Sequence, residues 1–257
     1  MIFGLLSFVS TQSIYNPYGL GLPKSSFFAA EYGLGSIGLV PNFIDKVSIS
    51  NPSTWSNLKH AYVNTTYESQ SFNINKSTLS SSSSQFGGIQ FLVPIQNKYA
   101  VALSVKPVNN LNTFFKTDTV DYFLNDENLS TSKEFKSGGG VMASTFSLSV
   151  PINDKMNIGI SYNSYFGSSR TEKSIILNNI YYRSYGVNTF KGSKYNMYFS
   201  GELFNSDNLI TTVYTGITKT LTPLSAYIYS IDLFEDTDGD LVPTNNDFPQ
   251  NPGADTL

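Results

Sequence analysis

The sequence predicts an all-β fold, an antiparallel up-and-down transmembrane β-barrel of about eight strands. Two stretches and the turns that lead into them carry this expectation. In residues 98–107 Tyr99, Val101, Leu103 and Val105 alternate with Ala100, Ala102, Ser104 and Lys106. In residues 156–163 Met156, Ile158, Ile160 and Tyr162 alternate with Asn157, Gly159, Ser161 and Asn163. Each stretch follows a similar short joint, Val93-Pro94-Ile95-Gln96-Asn97-Lys98 and Val150-Pro151-Ile152-Asn153-Asp154-Lys155. Strand residues point to opposite faces in turn, so bulky apolar residues on one face and small or polar ones on the other suit a wall between lipid and water. The joints fit hairpins, with Pro94 and Pro151 near strand ends where a missing N–H is tolerated.

Composition agrees with such a wall. Of 257 residues only 14% are charged, against roughly 25% in soluble domains, and there are 17 Tyr, 19 Phe and 1 Trp. No apolar run approaches the 18 or so residues of a membrane helix. Cysteine is absent, which excludes disulfides and thiolate metal sites. From Asp232 onward there are seven acidic residues and no basic one, which leaves the preceding chain at a net +4. An acidic tail after a mildly basic body gives no sign of a nucleic-acid surface.

Four segments follow in order. Residues 1–13 hold an apolar run, Ile2 to Val9, and then small polar residues. They read as a partial signal peptide without its leading Lys or Arg, with a simply buried run as the alternative. Residues 14–57 form a Gly-rich, plug-like segment without clear strands, except for a trace of helix near 27–32. Residues 58–233 carry the barrel strands, expected at 60–72, 85–95, 98–107, 138–152, 155–167, 191–204, 208–219 and 224–233. Long polar spans at 73–84, 108–137 and 168–188 alternate with the tight joints, as loops outside alternate with turns in the periplasm. A soluble β-sandwich or solenoid also alternates. It fits less well, because the small face holds Asn, Ser, Gly and Gln instead of a second apolar core.

The N-terminal segment contains Tyr18-Gly19-Leu20-Gly21, then Tyr32-Gly33-Leu34-Gly35-Ser36-Ile37-Gly38, then Asn51-Pro52-Ser53. In that order these motifs resemble the FadL/TodX-type outer-membrane transport family, including its PorV-like relatives. There a Tyr-Gly-Ile-Gly-like motif and a Gly patch precede an Asn-Pro-Ala motif at the first strand. The resemblance implies a 14-stranded barrel in the outer membrane whose N-terminal segment plugs the lumen and gates passive uptake of hydrophobic molecules such as fatty acids or hydrocarbons. An eight-stranded barrel is filled by its own side chains and cannot hold such a plug. Either the chain is a fragment of the larger barrel or residues 14–57 lie outside the lumen.

Residues 234–257 form the acidic tail. Asp236, Asp238, Asp240 and Asp247 stand at relative positions 1, 3, 5 and 12, the spacing of a calcium loop, with Val242 placed to offer a carbonyl. An oxygen-only set suits Ca²⁺. Leu241 departs from the expected Gly, and Asp247 from the expected Glu. With Phe248-Pro249-Gln250-Asn251-Pro252 after it, the tail resembles a thrombospondin type 3 repeat without its Cys; a solvated acidic linker is the bland alternative. Eight crossings from the periplasm return the tail to the periplasm.

Catalysis is not expected. His60 is the sole histidine and no Gly-x-Ser-x-Gly elbow exists. Glu202 falls on the polar face as a partner for a lumen cation. The expected partners are outer-membrane lipid and hydrophobic small molecules. The alternatives to an uptake channel are a non-transport barrel, as a PorV-like secretion component or OmpA-like envelope anchor, and a secreted calcium-binding adhesin-like β protein.

Overall fold

The structure is a computed structural model. It describes residues 22–23, 38–41, 47–73, 80–96, 98–124, 127–206, 209–240, 242–244, 246–249 and 253–256. The elements are β1 (Leu22–Pro23), a single 3-10 segment (Pro52–Asn57), β2 (Tyr62–Asn73), β3 (Ser80–Ile95), β4 (Tyr99–Pro107), β5 (Asn109–Asn110), β6 (Thr113–Lys116), β7 (Val120–Leu124), β8 (Glu127–Asn153), β9 (Met156–Leu177), β10 (Ile180–Ser206), β11 (Leu209–Asp236) and β12 (Ala254–Thr256). One antiparallel sheet runs in the order β12-β11-β10-β9-β8-β4-β3-β2, with β6 and β7 also on β8. The path holds eight strands, each neighbour the next in sequence apart from the short pieces between β4 and β8.

Its register explains the alternation. Val93, Val101, Leu148, Ile160, Met197 and Ile217 lie side by side across six strands. Val63, Phe91, Leu103, Phe146, Tyr162 and Tyr195 form the next row. Further rows run through Val150, Ile158 and Phe199 on one side and through Met142 and Phe166 on the other. Leu103 is 58% exposed whereas its neighbour Ala102 is 3% exposed. The bulky residues therefore point outward and the small ones are buried, the reverse of a soluble core. From the Val150 row to the Met142 row is four double steps of about 6.7 Å, roughly 27 Å along a strand, or about 20 Å of height at a tilt of ~40°. Outer-membrane barrels carry an apolar band of about 25 Å.

β8 to β11 are 27, 22, 27 and 28 residues long, far beyond the ~10 that cross a bilayer. They run past the band as a continuous ladder. β4, β6 and β7 succeed one another along β8, and Val108, Leu111 and Thr117 keep bonding its carbonyls across the gaps. The spans 108–137 and 168–188, expected as loops, are thus largely strand. β9 and β10 meet at Asn178-Asn179, both at positive φ (48° and 67°), the two-residue turn that a hairpin twist favours. The outward positions there hold Arg170, Glu172 and Ser174 in place of apolar residues, so no alternation announced the strand.

The count of eight agrees with the expectation, but its membership differs. The stretches expected at 208–219 and 224–233 are one strand, β11. Pro223 lies where the pairing skips from Ser193↔Thr222 to Lys191↔Ser225, a bulge that tolerates a residue without an N–H. The eighth place belongs to β12. This moves the tail. The long sheet strands that cross the band are seven, so β11 ends at the opposite end of the sheet from Tyr62, and the tail does not return to the side where β2 starts.

No described strand pairs with the outer edge of β2, or with that of β11 along residues 209–228. Among the described residues the sheet is open.

Candidate functional site

Residues 47–58 fill the concave face. Asn51, expected as part of a family motif, is wholly buried and acts as their organiser. Its Oδ1 accepts from the Ser53 amide (3.1 Å) and Ser53 Oγ (2.7 Å), and its Nδ2 donates to the Leu39 carbonyl (2.7 Å). Asn51 caps the 3-10 segment, which Pro52 opens with its fixed φ. Trp55, 1% exposed, donates Nε1–H to the Ser48 carbonyl at 2.6 Å. It packs in one cluster with Val47, Leu58, Leu92, Ala100 and Ala102.

The wall was shaped to receive this segment. A Cβ on Gly159 would stand 2.5 Å from the Ser53 amide and 2.6 Å from Pro52 Cβ, so the segment rests directly on the β9 backbone. Ser200 Oγ donates to the Ser53 carbonyl (2.8 Å), and Gln90 Nε2 to that of Ile49 (3.3 Å). Around it the wall is polar. Ser147 and Ser161 share a hydrogen bond (2.8 Å), and Thr145 Oγ1 donates to Asn163 Oδ1 (2.8 Å). Glu202 faces the same way as Ser200 and is half-buried. A cavity of about 30 Å³ beside Trp55, Gln90 and Asn163 is the size of a water. Higher up, a cavity of about 420 Å³ is lined by Ser137, Ser169, Thr171, Lys173, Asn188 and Asp232, among others. Parts 1–21 and 24–37 of the N-terminal segment, with the apolar run, the first glycine motif and all of the second but Gly38, lie outside the described residues.

The tail folds back along β11. β12 pairs Ala254, Asp255 and Thr256 with Ile231, Ser230 and Tyr229, and the Asp232 and Glu235 amides donate to the Gly253 and Phe248 carbonyls (both 2.8 Å). Of the expected calcium ligands the structure gathers three. Asp236, Asp238 and Asp240 offer carboxylate oxygens within 4.8 Å of one another. The Asp240 amide bonds the Asp238 carboxylate and lowers its pKa, but burial and the nearby charges of Asp240 and Asp247 outweigh this and leave it raised. Asp236 is also committed elsewhere. Its side chain is fully buried, its Oδ1 accepts from the Gly239 amide (2.7 Å), and its Oδ2 lies 3.1 Å from Arg183 Nε, an ion pair without hydrogen-bond alignment.

Asp247 does not join the three. Its Oδ1 takes the amide (2.9 Å) and hydroxyl (2.9 Å) of Thr237, and its Oδ2 those of Thr244 (2.7 and 3.0 Å). These amides and hydroxyls hold its pKa down to about 2. The spacing suggested a fourth metal ligand; the geometry makes it the clasp of the turn. Val242 contributes its amide to Asp240 Oδ1 (2.7 Å). Arg183 was missed because it lies in a stretch without strand signal.

His60 is exposed ahead of β2. Comparison with curated proteins and with solved structures gave no match. The sequence profile of the BamG family matches residues 1–236, all of the chain up to the end of β11. The match overturns the FadL/TodX resemblance. Those glycine and Asn-Pro motifs are short, and the one that falls in the described region, Asn51-Pro52-Ser53, is accounted for by local docking on the wall. The chain belongs to the BamG family.

Proposed function

We propose that this chain is a wall segment of an outer-membrane β-barrel serving, without a transport role, in the β-barrel assembly machinery that the family name denotes. The observation that carries the reading is the outward apolar band, ordered row by row across six strands. Its concave side is occupied by a docked segment and lined by Ser, Thr and Asn. Uptake of hydrophobic solutes loses the resemblance it rested on, and the described cavities are lined largely by polar residues. The tight connections from Ile95 to Tyr99 and from Asn153 to Met156 sit at one end, as periplasmic turns do. The long strands and the acidic tail then project outside the cell. Fractionation with a heat-modifiability gel tests the membrane wall, and depletion tests the role: barrel proteins should accumulate unfolded while uptake of a labelled fatty acid stays constant. A soluble protein, or unimpaired barrel assembly, counts against it.

The tail carries a second, smaller element of the proposal. Asp236, Asp238 and Asp240 converge enough to hold Ca²⁺ weakly, in the roughly 10⁻⁴–10⁻³ M range of extracellular modules. Titration calorimetry should show binding that Asp238→Asn plus Asp240→Asn abolishes; the same heat from both proteins removes the site.

A further inference from the structure

The outer edge of β11 within the band is a row of peptide groups with no described partner. In water an open edge is tolerated; in hydrocarbon each unpaired N–H and C=O must find a protein partner. The tail covers this edge only above the band, at residues 229–235, by pairing and by single bonds, and leaves 209–228 uncovered.

Strand direction limits what completes it. β2 and β11 are the first and last of seven crossings, so they run the same way, and joining them directly would give a parallel seam. A second copy of this chain in the same membrane orientation offers the same two edges and also meets β11 in parallel. The stretches 22–23, 38–41 and 47–58 are tied to the concave side: β1 pairs with β5, and the Leu39 carbonyl is held by Asn51. What fits is a strand that descends from the projecting end, the direction in which β12 already lies on the same edge.

The outward chemistry of β11 agrees. At the levels where β10 presents Phe199, Met197 and Tyr195, β11 presents Thr215, Ile217 and Lys219. An exposed lysine in the row of Phe91, Leu103 and Phe146 is ill placed against lipid and well placed beside another protein.

The geometry points to residues 209–228 of β11 as a docking edge for a descending, membrane-spanning strand of a second outer-membrane β-protein, joined in antiparallel register below β12. This rests on the wall being embedded in the membrane.

A photo-crosslinking residue placed singly at Val213, Ile217 or Leu221 of the full chain in its native membrane tests it. The expected adducts lie in one membrane strand of a different β-protein, and the crosslinked position moves toward the partner's C-terminus as the probe moves from 221 to 213. The same probe at Leu103, inside the wall, should give no protein adduct. Adducts within this chain or to a second copy, a ladder running in the opposite sense, or no protein adduct overturn the inference. If barrel assembly still fails on depletion while no such ladder forms, the docking edge falls and the proposed role stands; a ladder with unimpaired assembly reverses that outcome.

Discussion

The part of the sheet inside the apolar band and the part that projects beyond it are made from the same strands. β8, β9 and β10 pass from one to the other without a break in their hydrogen-bond ladder. Only the outward side chains change. In the band they are Leu148, Ile160 and Met197; above it, Arg170 pairs with Glu172 at 3.0 Å and lies 5.1 Å from the Tyr185 ring, while Lys116 meets Glu134 at 2.8 Å. The backbone ladder is indifferent to solvent, and the outward residues decide which solvent the wall accepts. Between the regions Gly139, Gly140 and Gly167 take positive φ. A Cβ on Gly139 would fall 2.2 Å from the Ser168 carbonyl oxygen, and one on Gly167 2.4 Å from that of Gly140, so the strands crowd here as only glycine allows.

The largest expected effect lies in the band, on its concave side. Trp55→Ala removes the largest side chain under 2% exposed among the described residues and should cost about 3–5 kcal/mol. The heat-modifiable folded form should be depleted in the membrane. Survival at the normal level would mean that the docked segment does not hold the wall.

Next comes the outward apolar face. Ile160→Arg should cost about 2–4 kcal/mol if the row it occupies faces the bilayer midplane, while Ser168→Arg, on the same face of β9 just above the band, should cost roughly 0–1 kcal/mol. Urea melts in lipid vesicles give both values. Equal costs would erase the distinction between the two regions.

Smaller again is Gly159→Ala. The added methyl has no room against Ser53 and Pro52, and overpacking of this kind costs about 1–3 kcal/mol. The effect should show as faster proteolysis around residues 47–58, with the wall itself retained.

The sequence was legible within the apolar band. Tyr99 to Val105 and Met156 to Tyr162 alternate because bulky apolar residues point outward and small ones face the docked segment, and the strands, hairpins and facing of that region follow from the pattern. Above the band the outward residues are charged or polar and the alternation lapses, so 168–188 read as loop although it is a hairpin. The stretch around Pro223 read as a break between two strands because a bulge depends on the partner strand, which local sequence does not reveal. The tail was half legible. Alternate carboxylates signalled that Asp236, Asp238 and Asp240 converge. Spacing could not show that Asp247 would turn toward Thr237 and Thr244, or that Arg183, some fifty residues earlier, would pair with Asp236.

The gentlest test separates the two regions by acid. The Thr237 and Thr244 amides favour the charged form of Asp247 and hold its pKa at about 2, below the ordinary 3.8. A depressed carboxylate stabilises the fold above its unfolded pKa, and that stability is lost as pH falls through the folded value. The tail clasp should therefore be intact above pH ~4 and weaken between about 4 and 2, where β12 leaves the β11 edge. Amide exchange at residues 254–256 should rise in that window while amides of Leu148 and Ile160 stay protected. Asp247→Asn should show raised exchange of the tail already at neutral pH and little further change on acidification. If the band loses protection together with the tail, the two regions unfold as one unit and the contrast between them is only one of surface chemistry.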